Sequence, residues 1–252
     1  MKISGLFFLF CLPASLLAQD LKVLQPKVGK KLDFGPAVQK QWAIRDKALK
    51  ALSAGEKSWD DLTTEEETAI NNCEETYENM WDIIGSACSF YCGSAAGKVR
   101  ASTSLSAQGT NTYGSENIND FSYQTAWVEG VPGYGIGEYI DYEFPPENPR
   151  INTIIIVNGY VKSASAYTTN SRVKQLKMYV NGAPYALLNL EDVAAEQSFV
   201  VDLIGYPDRA SLEMLKKRAG SKIRFEIMDV YKGTKYDDVA ITEIYFNGID
   251  VH

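Results

Sequence analysis

The hydrophobic positions of the chain recur with two different periods. From Phe34 to about Ile84 the step is three or four residues. In "GPAVQKQWAIRDKALKALSAG", Val38, Trp42, Ile44, Ala48, Leu49 and Leu52 fall near one stripe, and Gly55 marks a stop. "DLTTEEETAINNCEETYENMWDIIG" opens on a threonine cap followed by acidic residues, which suit the positive end of a helix dipole. Ile70, Cys73, Tyr77, Met80, Trp81 and Ile84 then continue at helical spacing. Two amphipathic helices of this length bury little alone, so they are expected to pack on the rest of the chain. The "TEEE" run reads as a solvated helix start.

After "CGSAAGK" the period becomes two. "KVRASTSL", "EYIDYEF", "INTIIIVNGYV", "KQLKMYVNG", "ALLNL", "SFVVDLI", "KIRFEIMDVY" and "AITEIYFNGIDV" are β-branched and aromatic runs separated by turns. Asn181-Gly182 and Asn247-Gly248 are tight-hairpin signals. "DRASLEMLKKRAG" interrupts the strands with a short helical pattern. Many strands without alternating helices predict a mainly β chain, an antiparallel sandwich preceded by a short α-helical segment.

The glycines of "GYGIGE" raise a competing possibility, a phosphate-cradling loop. A dinucleotide fingerprint needs strand, glycine turn and helix, with G-x-G-x-x-G spacing. Here the spacing is G-x-G-x-G, and the glycines run into the strand-like "EYIDYEF". Gly133, Gly135 and Gly137 are instead expected on one face of an extended rim, open to close approach.

The first eighteen residues carry Lys2, the apolar run "GLFFLFCLPASLLA" and a small Ala18, the pattern of a secretory signal peptide. Export to the periplasm or extracellular space follows, and no later run is long enough for membrane insertion. The chain divides as signal peptide 1–18, N-terminal helical segment 19–93 and β-sandwich 94–252. Its net charge of −7, without a basic run, disfavours nucleic acid and anionic membranes as partners. Of the cysteines beyond the leader, Cys88 and Cys92 in "CSFYC" are close enough for a local disulfide, with Cys73 to either one as the rival pairing. A zinc site would need a fourth ligand, and no histidine is near in sequence.

The only histidine is His252, which removes an internal Ser-His-Asp or Cys-His arrangement. Paired carboxylates in "KYDD" or "WVEG" keep a glycosidase as a third reading, with solvated surface acids as the plainer one.

At "NTYGSENINDFSYQTAWVEGVPGYGIGEYIDYEF" the chain resembles the discoidin-like, coagulation factor type C-like β-sandwiches, in which an N-x-x-D segment precedes Thr-x-Trp. It is similar in particular to the NADase-type glycan-binding domain of secreted bacterial proteins. The matching pieces continue through "IIIVNGYVKS", "NSRVKQLKMYVNG", "LED" and "DVYKGTKYDDVAITEIYFNG", over about residues 96 to 252. The family takes its name from an enzyme's accessory module, so the name implies no NAD hydrolysis here. The resemblance implies a jelly-roll sandwich whose loops at one end hold a carbohydrate. It also implies a structural calcium at the positions matching an Asp, a Thr and a late Glu, namely Asp120, Thr125 and Glu243. The "DFSYQT" loop departs from the family's glycine-containing pattern after the Asp.

A sugar site needs an aromatic face for C–H surfaces and amide or charged groups for hydroxyls. The residues in turn-like stretches that fit are Glu129, Tyr134, Asn158, Tyr160, Asn170 and Arg172, together with Lys235, Tyr236 and Asp237. Arg172 is also a candidate brace to Glu129 or Asp237. The expected function is non-catalytic binding of a glycan or cell-surface carbohydrate. A protein-interaction or adhesion module is the alternative.

Overall fold

The computed structural model describes residues 21–73, 77–83 and 97–249. The expected signal peptide and the Cys88–Cys92 pair lie outside them. Cys73 is buried and, among the described residues, a free thiol. No helix among the described residues is long and apolar enough to cross a membrane.

The N-terminal segment begins with two short strands that the periodicity does not reveal, β1 (Lys22–Leu24) and β2 (Lys27–Lys31). Helix α1 (Pro36–Ser53) starts on a proline, whose missing N–H costs nothing in the first turn. It ends before Gly55, at φ +70. Helix α2 (Thr64–Asn72) opens on the expected cap: the Thr63 hydroxyl accepts the Glu66 N–H at 3.3 Å, and Glu66 accepts the Thr63 N–H at 2.9 Å.

Helical spacing through Ile84 overstates α2. The chain leaves the helix at Cys73 and turns at 79–83, because side chains there outbid the helix for the backbone. Asp82 accepts the Asn79 N–H at 2.9 Å, and the Asn79 side chain accepts the Trp81 N–H at 2.8 Å. The turn then pairs with the sandwich, Ile83 N–H to Phe121 at 3.0 Å and Tyr123 N–H to Trp81 at 2.8 Å.

The remaining strands are β3 (Lys98–Ala101), β4 (Trp127–Val128), β5 (Tyr139–Phe144), β6 (Ile151–Asn158), β7 (Ser171–Val180) and β8 (Ala183–Asn189). Then follow β9 (Ala195–Ile204), β10 (Ser221–Tyr231) and β11 (Val239–Gly248). Two one- to two-turn helices, α3 (Ala164–Thr169) and α4 (Leu212–Leu215), interrupt them. One layer runs β2-β9-β6-β11, with β4 added to β11. The other runs β8-β7-β10-β5-β3, with β1 parallel to β8. A two-residue parallel pairing of Val239 and Ala240 with Ser171 and Arg172 joins the layers at one end.

Rings from strands that are not neighbours meet between the layers. Phe246 of β11 lies edge-on to Tyr142 at 4.9 Å and to Phe144 at 5.0 Å, both on β5. The mainly β sandwich expected from the two-residue period is thus the fold. Strand β6 reads "IIIV" without alternation because it is covered on both faces. Ile154 and Ile156 enter the main core, while Val157 belongs to a second cluster with Tyr123, Val161 and Ile83, against which Phe34 and Trp81 pack. The N-terminal segment therefore closes the outer face of one layer. Phe34 stacks on Trp81 at 4.7 Å and tilts against Tyr123 at 5.3 Å.

Asn181-Gly182 makes the β7–β8 hairpin with both residues at positive φ, +51 and +84. Asn247-Gly248 does not turn. It continues β11 through a register shift opposite Thr153 and Ile151, and the glycine permits close passage of the Arg150 carbonyl.

Candidate functional site

The loops between β4 and β5, β6 and β7, and β10 and β11 gather at the end where the layers join. Glu129, just past β4, is fully buried there. Its carboxylate accepts the Val131 N–H at 2.8 Å and the Val239 N–H at 3.3 Å. Burial pushes its carboxyl above the usual range, with Asp238 adding to the shift. Glu129 is an internal tie between loops and presents nothing to a ligand, contrary to the sequence expectation. Its position also explains the glycines. Gly133, Gly135 and Gly137 are not extended; they lie in a turn at φ +98, +58 and +92. A methyl on Gly135 would stand 2.6 Å from Glu129 Cγ.

Asn158 also faces inward. Its amide donates to the Val173 carbonyl at 2.7 Å and accepts the Val173 N–H at 3.0 Å, clamping β6 to β7. Arg172 braces loops as the alternative expectation had it, but its partner is neither Glu129 nor Asp237. The guanidinium grips Asp192 with two bonds of 2.7 and 2.8 Å and donates to the carbonyls of Tyr167 and Asn170. It also lies over the Tyr167 ring at 5.1 Å. The Asn170 amide closes α3 by donating to the Ala166 carbonyl at 2.8 Å. Asn158, Asn170 and Arg172 thus build the loops.

The tyrosines differ among themselves: Tyr160 is buried with Ala126, Val128 and Ala240, Tyr134 is half-buried and Tyr236 is exposed. Lysines ride over three rings: Lys232 over Tyr134 at 4.5 Å, Lys162 over Tyr160 at 4.5 Å and Lys235 over Tyr236 at 4.7 Å. Tyr236, Lys235 and Asp237 are exposed at the tip of the β10–β11 loop. That loop is seated on α3 by N–H bonds from Thr234, Lys235 and Tyr236 to the Thr168 and Thr169 carbonyls. Burial raises the Tyr113 hydroxyl, and Tyr160, Lys162, Asp238 and Tyr236 are all near enough to act on it. Tyr113, Tyr160 and Tyr236 therefore lie near one another.

Tyr160 opens onto a cavity of about 480 Å³. Its sandwich wall is Thr110, Asn111, Thr112, Gln124, Thr125 and the Lys162–Ser163 step. Gln39 of α1 and Trp81 close the opposite side. Hydroxyls, amides and one ammonium thus surround a space with an indole and a phenol in its walls, a lining suited to a neutral polar ligand. Except for Tyr160 and Thr125, none of these residues stands out in sequence. Threonine, asparagine and glutamine in loops carry no local signal, and only the fold brings Gln39 and Trp81 across.

Beside this cavity Asp120, Thr125 and Glu243 come together. The Thr125 hydroxyl donates to Asp120 Oδ2 at 2.6 Å. Glu243 is fully buried on β11, its Oε2 accepting the Phe121 N–H at 3.0 Å. Glu243 Oε1 is buried with no hydrogen-bond partner. Burial drives the Glu243 carboxyl well above its usual range, and the Asp120 charge adds to that shift. Phe121 has φ +57, a conformation glycine adopts without strain. The loop therefore keeps the glycine-type backbone with a phenylalanine whose ring packs edge-on to Tyr245 at 6.1 Å. Among the described residues no three His, Cys, Asp or Glu side chains form a metal cluster. The set here is two carboxylates and a hydroxyl, hard oxygens of the kind calcium takes, with Glu243 Oε1 left unpartnered.

A protein-family model for the NAD glycohydrolase translocation F5/8 type C domain matches residues 90–247. The chain belongs to that family. The family's match takes in β3 through most of β11 and leaves β1, β2, α1 and α2 outside it. Solved structures with a similar fold include the CBM32-1 and CBM32-2 domains of Clostridium perfringens ZmpB in complex with GalNAc. That structure is 11% identical with a TM-score of 0.43, over 63% of this chain and 34% of the other. CpGH89CBM32-5 from Clostridium perfringens, in complex with GalNAc-β-1,3-galactose, is 12% identical at TM-score 0.40, over 60% of this chain and 94% of the other. A fragment of a putative chitobiase from Bacteroides thetaiotaomicron is 14% identical at TM-score 0.35, over 56% of this chain and 79% of the other. The chain thus spans about a third of the ZmpB structure. No curated protein sequence matches it significantly.

Proposed function

We propose that this protein is an exported, non-catalytic glycan-binding module whose cavity beside Tyr160 receives a sugar of a cell-surface carbohydrate. The observation that carries the reading is the lining of that cavity: the Tyr160 and Trp81 rings with the Asn111 and Gln124 amides and three threonines. With Lys162 over the Tyr160 ring and Phe34 stacked on Trp81, the two rings present apolar edges to sugar C–H groups, while amides and hydroxyls exchange hydrogen bonds with sugar hydroxyls. Membership of an F5/8 type C family supports a binding rather than a chemical role, and the leader-like first eighteen residues support export. Glu129 argues against the glycosidase reading, since a buried carboxylate held by two main-chain N–H groups is out of reach of substrate.

In the same reading Asp120, Thr125 and Glu243 hold a structural calcium. The ion would neutralise the two carboxylates and tie the 120–125 loop to β11, shaping the wall that Thr125 shares with the cavity. The Cys88–Cys92 disulfide belongs to the proposal as a local staple. A glycan array probed with the mature protein, with and without calcium, tests the whole. Retention of defined glycans that Asn111→Ala and Gln124→Ala each weaken by about tenfold is the expected result. If the array is blank in both conditions the reading fails, and recovery of a stoichiometric protein partner would replace it.

A further inference from the structure

The 480 Å³ cavity has a larger neighbour. A second cavity of about 900 Å³ lies between the 31–36 segment of the N-terminal region and the sandwich. Its sandwich side is α3 with Val161, Tyr167 and the 192–194 turn, and its other side includes Leu32 and Phe34. Both volumes fall in the range of small-molecule sites, about 300–1,000 Å³. The two cavities share two lining residues, Gln39 of α1 and Ser163, the N-cap of α3. They are therefore adjoining compartments either side of a Gln39–Ser163 ridge.

The walls of the larger cavity are fixed. Asp192 and Tyr167 are held by the Arg172 fork and by the Tyr167 hydroxyl, which donates to Asp192 at 3.1 Å. Opposite, Phe34 is wedged between Trp81 and Tyr123, and the Gln39 amide donates to the Phe34 carbonyl at 2.8 Å. The Leu32 N–H bonds the Ala194 carbonyl at 2.8 Å, which pins the segment to the floor of the cavity. A wall already immobilised costs little further ordering when a ligand arrives.

Resting on the glycan reading above, we infer that the ligand is an oligosaccharide extending over the Gln39–Ser163 ridge from the smaller cavity into the larger, so that the N-terminal segment, outside the family match, completes the site. One sugar unit sits against Tyr160 and Trp81. The next passes between the Gln39 amide and the Ser163 end of α3, and places its C–H groups against the ring edges of Phe34 and Tyr167 that line the larger cavity. The helices preceding the sandwich then set the length of chain recognised.

The test is an array, followed by calorimetry, of full-length protein against matched series of a terminal monosaccharide and its di- and trisaccharides. The wild type is expected to bind the longer members about tenfold more tightly than the monosaccharide. Ala164→Trp and Ser165→Trp, which fill the larger cavity from exposed positions on α3 that do not line the smaller one, are expected to remove that increment and keep monosaccharide binding. Thermal melts of both variants should match the wild type, so that a loss reports on the site. Equal affinity along the series, or an increment untouched by both variants, overturns the inference and leaves the glycan reading standing. Absence of binding to every member overturns both.

Discussion

Gly135 stands directly against Glu129, so close that a methyl on it would fall 2.6 Å from the glutamate Cγ. The pair explains why a glycine-rich turn follows a buried acid in this fold. The carboxylate is held by the Val131 N–H ahead of the turn, and the turn, left-handed at Gly135, must be bare there to let the carboxylate in. Gly135→Ala is therefore expected to destabilise by about 2–3 kcal/mol, combining positive-φ strain with the collision. Gly133→Ala, which meets nothing within 4 Å, should carry the backbone penalty alone, about 1–2 kcal/mol. Urea unfolding of the two variants checks the order.

Arg172→Ala should cost about 2–3 kcal/mol, because it strips two charge-assisted bonds from Asp192 and two donors from loop carbonyls. The Arg172 hydrogen bonds hold the Asp192 carboxyl below its usual 3.8. A depressed carboxyl contributes stability that is present above the unfolded value and lost as pH falls through the folded one. Wild-type stability should thus drop below about pH 4, and the drop should be shallower in Arg172→Ala. Equilibrium unfolding at a series of acid pH values reads the difference.

Calcium binding at Asp120, Thr125 and Glu243 should appear as linkage. At a hundred times its dissociation constant, the ion would add about 2.7 kcal/mol to the stability of the folded state. Thermal melts with calcium and with chelator should therefore separate for the wild type. They should coincide for Glu243→Gln and Asp120→Asn, since each replaces an anionic ligand with a neutral amide.

Much of this architecture is legible in the chain and some of it is not, for physical reasons. Alternation in "EYIDYEF" and "KIRFEIMDVY" fixes β5 and β10, because each strand has one face in the core. The Thr63 cap is read correctly because its bonds are local. Helical spacing at Trp81 misleads, because an apolar residue that serves a tertiary cluster can fall at the same interval as a helix stripe. Asn247-Gly248 misleads for a related reason: the glycine answers a close approach by Arg150, a contact distant in sequence. Among site residues, conspicuous types such as Glu129 and Arg172 turn out to be braces. The cavity is lined by Thr110, Asn111, Gln124 and Gln39, whose significance lies only in being brought together.

The central claim is that a sugar occupies the cavity walled by Tyr160, Trp81 and the 110–112 and 124–125 loops. Backbone amide NMR on the protein titrated with a glycan retained on the array tests it most directly. The predicted shifts cluster at Thr110 to Thr112, Gln124, Thr125 and Tyr160 to Ser163, with the Trp81 indole among them. Shifts confined to the Tyr236 loop or to the opposite end of the sandwich, with these signals unmoved at saturation, would contradict it.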